Sequence, residues 1–200
     1  MLKKLGHQTK ITQKQDGLNV PPGQYVTQKF PEMTYGASPG IDLKAWRLRV
    51  FGLVEQEAVF TWEEFLALPQ MALTRDFHCV TQWSSMDNLW EGVPFRDVMQ
   101  RVSPRTEAKY VMVRSYGGYA TNLPLDVLME EDVLLAHRHQ GEPLEAAHGG
   151  PMRLVVPSRY GWKSAKWVNG LELMAQDKPG FWEQLGYHNN ADPWKEERFG

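Results

Sequence analysis

The chain has one cysteine, Cys79, among its 200 residues. An internal disulfide is therefore excluded, as is a zinc site built from several thiolates. No stretch approaches the roughly 20 apolar residues that span a bilayer, so no membrane span is expected. Charge of one sign is not in excess: 22 Lys and Arg stand against 24 Asp and Glu, a formal net charge of −2, and the two signs are interspersed. A nucleic-acid binder would show a basic stripe, so nucleic acid is not an expected partner. The opening MLKKLGHQTKITQKQDG lacks the apolar core of a secretory signal and has no twin-arginine pair, which points to the cytoplasm and a reduced thiol. Without a Gly-x-Ser-x-Gly elbow or a P-loop, neither a hydrolase triad nor ATP has local support. His137, His139 and His188 do not have the spacing of a closed metal site.

Aromatic side chains are plentiful, eight of them tryptophan. Trp83, Trp90, Trp162, Trp167, Trp182 and Trp194 sit beside polar residues. That pattern suits tryptophans at the rim of a core, and equally a walled pocket for a large flat ligand.

Periodicity predicts short strands mixed irregularly with short helices, which indicates an α+β fold rather than a doubly wound sheet. Residues 1–40, rich in Gln, Gly, Pro and Thr, read as an irregular arm packing on the domain, and residues 41–200 as the domain itself. Strands are predicted near 46–50, 76–80, 110–114, 133–136, 153–156 and 171–174. A capping box, Thr61-Trp62-Glu63-Glu64, starts a helix ended by Pro69. Pro94 opens a second helix through Arg101, and 124–129 suits a third. The stretch 83–92 reads as a polar loop, 117–118 as a turn, and the segment from Asp177 as a surface wrap.

Three segments can carry chemistry. Cys79 ends a predicted strand; a lone cysteine is commonly a small core hydrophobe, but a soft thiolate also suits a metal whose remaining ligands come from a sulfur-bearing cofactor. In His148-Gly149-Gly150-Pro151-Met152-Arg153 a histidine and an arginine flank a turn open to close backbone approach. They can grip a phosphate or be a turn histidine and a surface arginine. Tyr160 to Trp167 places Lys163, Ser164 and Lys166 around a bend, either an anion site or a solvated loop on tryptophan faces.

Taken together, Leu43 to Val54, Phe77-His78-Cys79-Val80, the run from His148 to Arg153, Val155-Val156-Pro157, Gly161 and Ser164-Ala165-Lys166-Trp167 resemble, in order and spacing, the molybdopterin domain of the sulfite oxidase family. The resemblance covers roughly Phe30 to Tyr187. It implies a Mo-molybdopterin cofactor with Cys79 as the metal's thiolate ligand. It also implies pterin contacts from His148, Arg153, Ser164, Ala165 and Lys166, with Tyr35 and Ser115 as further contacts and Tyr187 as an active-site phenol beside the substrate oxygen. Arg114, ending a strand expected to face the pocket, is a second candidate to orient an oxyanion. Sulfite oxidases follow the metal cysteine with Ala-Gly-Asn-Arg-Arg; Val80-Thr81-Gln82-Trp83-Ser84 stands here, so the arginine pair that suits sulfite is missing. The Val-x-x-Trp-Ser pattern is similar to the catalytic subunit of bacterial methionine sulfoxide reductase, although that subunit is exported and has Asn at the position of His148. The chain looks most like short stand-alone sulfite oxidase-like proteins. The expected activity is oxygen-atom transfer on a small-molecule substrate, with an external redox partner and a monomer or weak dimer. A molybdopterin carrier without turnover is the alternative.

Overall fold

The computed structural model describes residues 18–200; residues 1–17 of the expected arm lie outside them. The first strands are β1 (Tyr25–Val26), β2 (Arg47–Gly52) and β3 (Ala58–Thr61), followed by helix α1 (Trp62–Leu66). Then come β4 (Met71–His78), β5 (Trp83–Pro94), α2 (Phe95–Val102), β6 (Tyr110–Ser115), β7 (Ala120–Pro124) and α3 (Leu125–Leu128). β8 (Leu134–His139), β9 (Glu142–Pro143), β10 (Arg153–Val155) and β11 (Val168–Met174) complete the set, and the tail continues in short 3₁₀ turns. The fold is α+β, as expected.

Local chemistry accounts for the elements. In β2, Leu48 and Val50 point into the core while Arg47 and Arg49 face out, the period-two pattern of a half-buried strand. The Thr61 hydroxyl accepts from the Glu64 amide at 3.2 Å and the Glu64 carboxylate accepts from the Thr61 amide at 2.8 Å, so the capping box forms at the start of α1. Helix α2 buries Phe95, Val98, Met99 and Val102, one face of a helix, and stops where Ser103 turns left-handed at φ 50°.

Two sheets result. One runs β3-β2-β11-β6-β7, with only β2 and β11 parallel; the other runs β1-β5-β8-β10, with β4 also on β5 and β9 on β8. The main core lies between them, from Trp46, Leu48 and Phe65 to Leu135, Leu154 and Leu171. A second cluster, Phe77, Cys79, Trp83, Trp90 and Val155, lies under the end of β4.

The loop expected at 83–92 is instead the longest strand, β5. Its two serines and Asn88 are buried but paired: Ser84 with His78 at 2.8 Å, Ser85 with Asn88 at 3.0 Å and Asn88 with His139 at 3.0 Å. Satisfied buried polar groups cost little, so polarity there does not signal solvent. Asp87, at φ 53°, and a register shift at Arg75/Phe77 also interrupt the alternation. Gly92 sits where β5 crosses β8 so closely that a Cβ would fall on the Leu135 carbonyl.

Candidate active site

β4 ends at His78, and the chain turns at once through Cys79 to Gln82, whose amide donates back to the Cys79 carbonyl at 3.1 Å. Gln82 takes a left-handed φ of 76° to enter β5. The Cys79 amide donates to the Trp83 carbonyl at 2.9 Å, and Gln24, reaching from the N-terminal segment, donates to the Cys79 carbonyl at 3.1 Å. The thiol is free and only 7% exposed, with the Thr81 hydroxyl at 3.1 Å. Next to it, burial holds the His78 pKa down at about 4 against the pull of Asp76, so the ring is neutral toward Ser84.

Cys79 opens onto a cavity of about 270 Å³. The cavity is also lined by Tyr35, His148, Arg153, Ser164, Ala165, Lys166 and Tyr187, so the fold brings eight of the ten candidate residues to one place. Arg153, at the start of β10, is 2% exposed. Its guanidinium donates to the carbonyls of His148 (2.9 Å) and Ser164 (3.0 Å) and lies over Phe77. Burial pushes its pKa down to about 10. Lys166 donates to the Ala147 carbonyl, and burial, with the Arg153 charge adding, pushes its pKa down to about 8. Among the described residues neither cation has a carboxylate within salt-bridge distance. Gly149, at φ 106°, makes the arrangement possible: a Cβ there would press on the side chains of Lys166 and Arg153. His148 reaches the Phe30 carbonyl with Nε2 at 3.0 Å, and the Ser164 hydroxyl accepts from the Val156 amide at 3.0 Å.

Arg114 and Ser115 are not among the residues lining this cavity. On β6 alternation turns Arg114 to the outer face of the sheet, where it pairs with Glu172; the expectation that it faces the pocket is corrected on that ground. Ser115 is buried, and its hydroxyl has no partner among the described residues. Lys163 is also not at the cavity; its ammonium is buried on Glu183.

Trp83, Trp162, Trp167 and Trp182 line the cavity, whereas Trp90 lies behind Arg153 and Trp194 is half exposed. Sequence reasoning missed Phe30, Thr81 and Tyr119. Tyr119 follows a Gly-Gly turn, and its hydroxyl donates to the Trp162 carbonyl at 2.6 Å, a link that local pattern does not announce. Among the described residues no group of three or more His, Cys, Asp or Glu side chains could hold a metal.

Residues 35–182 match the family model of the oxidoreductase molybdopterin binding domain. The chain belongs to this family, of the sulfite oxidase type. It is 43% identical over 191 residues to an uncharacterized oxidoreductase, YuiH, of Bacillus subtilis, covering 95% of this chain and 96% of that protein. It is 31% identical to a putative protein-methionine-sulfoxide reductase subunit, YedZ1, of Azospira oryzae, over 84% of this chain and 64% of the relative. With the catalytic subunit MsrP of Xanthomonas axonopodis identity is 29%, over 78% and 55%. The chain thus spans between about half and two thirds of the reductase relatives. Among solved structures, the sulfane dehydrogenase SoxCD of Paracoccus pantotrophus superposes with a TM-score of 0.67 at 26% identity, covering 72% of this chain and 42% of that one.

The residues present fit the cofactor of this molybdopterin oxidoreductase family. The buried Arg153 and the half-buried Lys166, neither with a carboxylate at salt-bridge distance, give the cavity positive charge that favours an anionic group. The phosphate of a molybdopterin suits that charge, and Cys79 offers a thiolate donor at the same cavity.

Proposed function

We propose that the chain is a molybdenum-molybdopterin oxidoreductase carrying out oxygen-atom transfer on a small substrate, with Cys79 as thiolate ligand to the metal. Arg153, Lys166 and His148 would hold the anionic side of the pterin, and Ser164 and Ala165 would lie along it. The bound cofactor supplies a metal centre that exchanges an oxygen atom and two electrons. Tyr187 would donate its phenolic hydrogen to the substrate oxygen. Trp162, Trp182 and Tyr35 would wall that side and exclude water.

The direction we favour is reduction of a sulfoxide or N-oxide. A sulfoxide takes two electrons and two protons and leaves as sulfide and water, the electrons coming from an external redox partner. Support comes from the missing arginine pair after Cys79 and from the names of the reductase relatives. Three of the four tryptophans at the cavity flank Cys79 or Tyr187 in sequence or contact, which suits an apolar substituent better than a bare oxyanion. The observation carrying the proposal is the convergence on a single cavity of one free thiol, the buried Arg153, the half-buried Lys166 and Tyr187.

The test is to make the protein in a cell that synthesises the cofactor, quantify molybdenum and pterin, and assay methyl phenyl sulfoxide and trimethylamine N-oxide with reduced viologen, and sulfite with ferricyanide. Stoichiometric molybdenum with sulfoxide turnover is expected. Stoichiometric metal without turnover of any of the three would replace the enzyme with a cofactor carrier.

A further inference from the structure

The charged pair Lys163–Glu183 takes no part in the chemistry described so far, yet it is the most deeply buried ion pair among the described residues. The two side chains are 1% and 2% exposed, and Nζ lies 2.6 Å from Oε1. The same Oε1 accepts from the Trp162 indole N–H at 2.9 Å and from the Thr121 hydroxyl at 3.3 Å. Lys163 donates in addition to the Asn122 carbonyl at 2.7 Å.

The connections of this pair are specific. Lys163 directly precedes Ser164 to Lys166, and Glu183 begins the turn that joins Trp182 to Tyr187. Trp162 meets the Tyr187 ring edge-on at 5.1 Å, and Trp182 meets it at 5.0 Å. Among the described residues the Tyr187 hydroxyl has no hydrogen bond, so the ring is located by its aromatic neighbours. Gly180 lets the tail approach β7 at this point, since a Cβ would meet the Thr121 backbone. A buried ion pair contributes little net stability, and an apolar pair of similar volume often serves as well. Its use here is therefore better sought in geometry than in stability.

We propose that Glu183 is a positioning residue for Tyr187: its carboxylate fixes the Trp162 indole and the turn carrying Trp182 and Tyr187, and Lys163 is its counter-ion. This rests on the role given to Tyr187 above. In the holoenzyme, the double variant Lys163→Met/Glu183→Leu removes both charges and keeps the volume. It should keep its molybdenum content and lose about tenfold in kcat on methyl phenyl sulfoxide, the scale set by a small misplacement of a reacting group. In a Tyr187→Phe background the same double change should cost nothing further. Near-UV circular dichroism gives a readout that does not need turnover. The double variant should differ from the wild type in the tryptophan bands, and the difference should vanish in a Trp162→Phe background. If the double variant does not fold, Glu183→Gln replaces it in both experiments with the same expected signs. An equal loss of kcat with and without the Tyr187 hydroxyl overturns the proposal, as does a kcat that does not fall. A wild type without turnover refutes the enzyme assignment instead, and the dichroism then decides: no Trp162-dependent difference refutes the positioning.

Discussion

Lys166 should make the stability of the cofactor-free protein depend on pH above neutrality, an effect that replacing the lysine isolates. Burial and the Arg153 charge hold its folded pKa at about 8, against 10.5 for an open lysine. Between those values the unfolded chain binds more protons than the folded one, so stability rises with pH through the window and is lost as pH falls through 8. For a lysine fully removed from water the gap would be worth about 3 kcal/mol. The ammonium is partly solvated, which reduces the figure to about 1–2 kcal/mol. His78 and His139, both held near 4, are already neutral at pH 7, and Arg153, near 10, begins to titrate only at the upper edge of the range, in both proteins alike. The assay is urea unfolding at pH 7.0 and pH 9.5 for wild type and Lys166→Met. The wild type should gain about 1–2 kcal/mol more than the variant over that interval. An identical gain in both proteins, or a larger one in the variant, would show that partial burial does not disfavour the Lys166 charge.

Other consequences are more local. Tyr187→Phe should lower sulfoxide turnover by about a hundredfold, the usual cost of removing one transition-state donor, while metal analysis shows undiminished molybdenum. Gly92→Ala should destabilise the fold by about 1–3 kcal/mol in urea melts because the new methyl meets the Leu135 backbone; a melt within error of the wild type would mean that β5 and β8 separate easily. Thr61→Ala should cost about 1 kcal/mol by the same measurement through loss of the cap on α1.

How much of this could be read from the sequence varies with how local the cause is. The start of α1 was legible because the capping box lies within four residues, β2 because apolar and charged residues alternate along it, and β6 because its apolar run Val111-Met112-Val113 is closed by the Gly117-Gly118 turn. β5 was not, since its serines and asparagine are satisfied by side chains that the fold brings from β4 and β8. At the site, the Cys79 segment and the block from His148 to Lys166 were legible from motif order. Arg114 was misjudged because a strand's end does not tell which face its last arginine takes; the partner that settles it, Glu172, is 58 residues away. Lys163 and Lys166 look alike in sequence, and only the tail, by bringing Glu183, separates a buried counter-ion from a cation at the cavity.

The central claim is that Cys79 binds the metal, and molybdenum content tests it most directly. Cys79→Ser keeps the size of the side chain at a turn whose hydrogen bonds run through backbone atoms, so the fold should persist. Wild type purified from a cofactor-competent cell should carry one molybdenum per chain and show a Mo(V) EPR signal. The variant should lose the signal and most of the metal. A folded variant with undiminished molybdenum and an unchanged signal would contradict the account.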